Sequence, residues 1–127
     1  MSSTASYASV PAPAQGQLTV ANTNRDGTGT LVTILSSAAN GTRIDDIAIV
    51  AAGTTTAGVI RLFVSDGTNH RLWREVLVTA KTPSTTVDVW SVYMENLALV
   101  LKTGWSLRAA THNAETFNIL VTRAGDL

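Results

Sequence analysis

Residues 58–78 read GVIRLFVSDGTNHRLWREVLV, and how this stretch folds back on itself decides the architecture of the chain. GVIRLFVS (58–65) is rich in β-branched and aromatic residues, and HRLWREVLV (70–78) resumes that composition after SDGTN. Between them Gly67 can take positive φ, and the Asp66 and Asn69 side chains can bond nearby backbone groups, so the stretch is predicted to be a β-hairpin. With Asp66, Gly67 and Thr68 as its loop, Leu62 is expected opposite Leu72, and Arg61 opposite Trp73 as a cross-strand cation over an indole face. Consecutive strand residues point to opposite faces, so Arg74 and Glu75 cannot form one cluster, and the same parity separates Asp45 from Asp46. The stretch therefore reads as a turn rather than a reaction centre, with His70 and Arg71 near its exposed tip.

Working outward, similar runs recur at spacings of about 8 to 12 residues, separated by Gly, Asn and Asp clusters. They are 17–21, 30–36, 43–51, 58–65, 70–79, 86–94, 97–103 with 105–111, and 116–124. No segment keeps a helical apolar stripe for three turns. The expectation is an all-β domain over 17–127, an antiparallel β-sandwich or jelly roll of about eight strands. Residues 1–16, MSSTASYASVPAPAQG, are too small and polar to build a core and are expected to form an extended N-terminal arm.

Two strands are apolar on both sides. In GVIRLFVS, Ile60, Leu62 and Val64 make one face while Val59 and Phe63 sit on the other; Ile47 and Ile49 against Ala48 and Val50 repeat the pattern. A sandwich in water needs only its inner face dry, so some outer faces are expected to be covered. A long loop or the arm lying across the sheet is one solution, and a subunit interface is the other.

At 127 residues the chain is one domain's worth. Nine basic and nine acidic residues cancel, so no long-range field draws it to nucleic acid or to an anionic membrane, and neither partner is expected. The absence of cysteine removes disulfides, thiolate metal sites and cysteine nucleophiles together. The first residues lack a basic region followed by an apolar one, so no secretion signal is expected.

Catalytic motifs fail on inspection. GWSLR (104–108) begins like a nucleophile elbow, but Arg108 stands where the tight turn needs glycine and no helical pattern follows. His112 lies in an Asn-containing turn, and His70 and His112 have neither cysteines nor ligand spacing to support zinc. DGTGT (26–30) and AAGTTTAG (51–58) lack the lysine of a phosphate loop and read as turns. No enzyme activity, cofactor or metal is expected. The candidate contact residues are Val59, Arg61, Phe63, His70, Trp73, His112 and Asn113; the tryptophans Trp73, Trp90 and Trp105 are the aromatics that could stack on a sugar, and a glycan-binding tip would present Trp73 or the loop at His112 and Asn113.

The segments GTTTAGVIRLFVSDGTNHRLWREVLV (53–78) and SLRAATHNAETFNILVTRAGDL (106–127) resemble a group of small proteins from tailed bacteriophage and prophage structural gene clusters. The resemblance implies a virion component, made in the bacterial host cytoplasm and displayed on the particle surface. Within that class a capsid decoration (cement) protein is favoured, its partners being copies of itself, a trimer by analogy, and the major capsid protein. The alternative is a tail or baseplate component that binds other tail proteins or a host-surface glycan.

Overall fold

The structure, a computed structural model, describes residues 10–127. Its strands are β1 (Val10–Pro11), β2 (Ala14–Leu18), β3 (Val32–Ser36), β4 (Thr42–Ala51), β5 (Gly58–Ser65), β6 (His70–Val78), β7 (Ser91–Met94), β8 (Leu99–Leu101), β9 (Ser106–Thr111) and β10 (Phe117–Asp126). No helix occurs among the described residues. The all-β expectation holds, with ten strands in two antiparallel sheets.

Sheet A places β10 and β4 at its centre, with β1 and β2 both along the outer edge of β10 and β7 and β8 both along the far edge of β4. Sheet B runs β3-β9-β5-β6. Alternation sends Ile44, Ile47, Ile49, Phe117, Ile119 and Val121 of sheet A against Ile34, Ile60, Leu62, Leu107 and Ala109 of sheet B, one shared core between two layers. Trp90 closes it, its ring edge-on to Phe117 at 5.8 Å between centroids.

Several boundaries differ from expectation for identifiable reasons. The expected arm, 1–16, lies outside the described residues up to 9, and its remainder enters β1 and β2 along β10. β2 pairs with β10 from Ala14 to Leu18 and is crowded at its middle, where a Cβ on Gly16 would lie 2.5 Å from Ile34 Cδ1. Residues 86–90 do not extend β7, since Ser84 N–H bonds the Val87 carbonyl at 2.8 Å in a turn and Trp90 is drawn into the core.

The opening hairpin forms with a different register. Ser65 pairs with His70 across a loop of residues 66–69, and Asp66 Oδ1 accepts from the amides of Thr68 at 2.9 Å and Asn69 at 2.6 Å. A bulge at Trp73 then shifts the ladder, so Arg61 faces Glu75, Leu62 faces Arg74 and Phe63 faces Leu72. The expected contact of Arg61 with Trp73 is thus overturned: Trp73 packs against the core, while Arg61 belongs to the opposite face. The Trp73 ring is instead approached by Arg74, whose Cζ lies 5.0 Å from its centroid.

Candidate functional site

Val59, Arg61, Phe63 and Ser65 line the outer face of β5, and the segment between β2 and β3, residues 19–31, lies across it. Asn22 starts the crossing by donating its amide to Thr111 O at 2.8 Å. Its side-chain Nδ2 donates to Thr28 O at 2.9 Å and Thr30 O at 3.0 Å, while its Oδ1 accepts from Asn24 N at 3.0 Å, so one buried amide fixes the loop's shape. Gly27 comes down on β6. With φ of +88° and room for only a hydrogen, it would place any Cβ 2.2 Å from the His70 carbonyl oxygen.

Beneath this loop Arg61 is 2% exposed. Its Nε donates to Glu75 Oε2 at 2.9 Å, Nη1 to Asn22 O at 3.2 Å, and Nη2 to His112 Nδ1 at 3.3 Å. Because arginine has no acceptor, His112 must receive on Nδ1 and carry its proton on Nε2. Glu75 Oε2 also accepts from Arg25 Nε at 2.7 Å, which ties the loop to the edge strand. The Arg25 hydrogen bond, reinforced by the one from Arg61, holds the Glu75 carboxyl below the usual carboxylate range.

The structure therefore brings Arg61 and His112 together, with the Val59 carbonyl accepting from His112 N at 2.9 Å, and sets Phe63 fully buried on the same face. His70 follows, its Nδ1 2.7 Å from Ser65 Oγ. Asn113 stands apart, donating to Thr56 Oγ1 at 3.0 Å and Ala57 O at 3.1 Å to hold the turn before β5. Trp73 is on the core side. These residues are occupied by the fold's own contacts, so the outer side of β5 is covered by the chain's own loop, the first of the two solutions its sequence allowed, while Leu77 of β6, opposite Val59 on the same face, stays exposed. Ser106, the serine of GWSLR, opens β9 and takes a bond from Arg108 Nε at 3.2 Å, with no helix after it. Among the described residues no three metal-ligating side chains converge.

The outer face of sheet A is different. Its cross-strand rows are Gln15, Leu120, Ala48 and Tyr93, then Gln17, Asn118, Val50 and Ser91. Neither row contains a charge, Tyr93 is 70% exposed, and Leu120 and Val50 are half-buried. Gln17 Nε2 donates to Asn118 Oδ1 at 2.9 Å, which leaves the second row largely self-satisfied. Along the free edge of sheet B, β6 exposes Leu77 at 76%, with Arg71, Arg74 and Glu75 on the same strand discouraging indiscriminate pairing. The Tyr93 row and the Asn22 loop lock were not picked out from sequence; Trp105 was, as one of three tryptophans able to stack on a sugar, but the residues around it were not.

No protein-family model matches this chain, and no curated protein matches it.

Proposed function

We propose that this chain is a non-enzymatic structural subunit of a tailed-phage virion, a capsid decoration protein that reinforces the shell through contacts with its own copies and with the major capsid protein. Supporting this reading, beside the resemblance of residues 53–78 and 106–127, is one surface: the two uncharged rows in the middle of the outer face of sheet A, on which Tyr93 stands 70% exposed. A surface of small apolar groups, amides and hydroxyls costs little to desolvate, and a protruding tyrosine is a favourable anchor at such an interface. Modest contacts repeated over a lattice add up by multivalency.

The test is a variant carrying Tyr93→Glu and Leu120→Lys, two charges on a face not needed for the core. Circular dichroism is expected to be unchanged, while sedimentation velocity shows loss of self-association and decoration-free capsids no longer retain the protein. Parent protein that stays monomeric and ignores such capsids, or a variant that binds them as the parent does, would refute the reading.

A further inference from the structure

The loops 37–41, 66–69 and 102–105 meet around Trp105 at one end of the sandwich, the position from which β-sandwich domains present variable loops on a rigid scaffold. Trp105 stands among them, 36% exposed, with a cleft on either side. One cleft, of about 250 Å³, is lined by Val64, Asp66, Asn69 and Arg71 together with the indole. The other, of about 520 Å³, reaches from the indole past Lys102 and Thr103 to Asn40.

The scaffold beneath the indole is fixed by hydrogen bonds. Ser37 N donates to Trp105 O and Trp105 N to Lys102 O, each at 2.9 Å, and Thr103 Oγ1 donates to Ala39 O. Asp66 spends Oδ1 on the Thr68 and Asn69 amides, which locks the hairpin loop that lines the smaller cleft. The cations are not spent. The ion pairs of the described residues use Arg25, Arg43, Arg61 and Lys81, and neither Arg71 nor Lys102 enters one.

We propose that this end of the molecule binds an oligosaccharide carrying carboxylate groups, one sugar ring stacking on Trp105 and its neighbours reaching Arg71 on one side and Lys102 on the other. An indole face takes the apolar C–H side of a pyranose ring, which buries area without demanding hydrogen bonds. Asp66, Asn69, Asn40 and Thr103 offer the short polar groups that hydroxyls need. The two cations select for acid: each can make a charge-assisted hydrogen bond to a ring carboxylate, and neither enters an ion pair among the described residues. The site is distant in role from the Tyr93 face and does not depend on it.

An array of oligosaccharides, each uronic-acid-containing member paired with its carboxyl-reduced form, tests the proposal on the full chain. Binding is expected to the acidic members and to weaken at least about tenfold on carboxyl reduction. Trp105→Ala is expected to lose about tenfold or more. Arg71→Ala with Lys102→Ala removes the two exposed cations and leaves the indole in place; it should weaken acidic ligands about tenfold with an unchanged melting temperature. Tyr93→Glu should leave the array profile intact, which separates this site from the assembly surface. The proposal falls if no member binds, if reduced and acidic forms bind alike, or if the Arg71 and Lys102 double variant binds as the parent does.

Discussion

The outer faces of the two sheets start from the same kind of sequence and end differently. β5 and β4 are both apolar on both sides, yet over β5 the chain lays its own residues 19–31, while over the middle of β4 and β10 the rows ending in Tyr93 and Ser91 lie open. The difference follows from one buried charge. Arg61 interrupts the outer side of β5, and a guanidinium under a loop must be given acceptors; Asn22 O, Glu75 and His112 supply them, so the cover is specific to that face. The outer side of β4 at Ala48 and Val50 contains no such group and gives a loop nothing to lock onto.

The contrast can be broken most forcefully at Arg61. Arg61→Ala leaves the Asn22 carbonyl and the His112 ring nitrogen without their donor, and is expected to cost about 3 kcal/mol of stability in urea unfolding. Gly27→Ala attacks the same cover from above; a Cβ against the His70 carbonyl, at positive φ, is expected to cost about 2 kcal/mol. Its signature would be faster amide exchange in residues 19–31 with β4 and β10 unaffected.

Acid sharpens the contrast with a smaller effect. The Glu75 carboxyl is held below its usual range by Arg25 first and Arg61 second, so its contribution is complete at neutral pH and disappears as pH falls below about 4.3 through the lower folded value. Glu75→Gln should flatten that portion of the stability-against-pH curve and leave the alkaline side unchanged. Smallest of all, Tyr93→Glu should alter monomer stability by no more than about 0.5 kcal/mol, since the side chain touches mostly water. A large loss there would mean that the open face is part of the fold after all.

Much of the architecture was readable because it is written locally. Alternation in 43–51, 58–65 and 116–124 gives strands whatever their partners, and SDGTN announces a turn. What escaped depends on contacts far apart in sequence. The register of β6 turns on a single extra residue at Trp73, and no local signal distinguishes a bulge from a regular ladder. The cover over β5 rests on Asn22 with Thr111 and on Arg25 with Glu75, pairs whose residue types are ordinary for an exposed loop. Of the candidate contact residues, Arg61 and His112 do meet, but through each other; the features left available to a ligand, Trp105 with Arg71 and Lys102, owe their proximity to three separate turns.

The place of β10 has a consequence for how the molecule is made. It follows every other strand in chain order, yet it lies between β2 and β4, bonded to both. During synthesis β1 and β2 must wait, unpaired, until β10 leaves the ribosome, and only then can sheet A be completed in a single late step. Ribosome stalling before residue 117 should therefore leave β1 and β2 open to proteases while the β5–β6 hairpin is already formed.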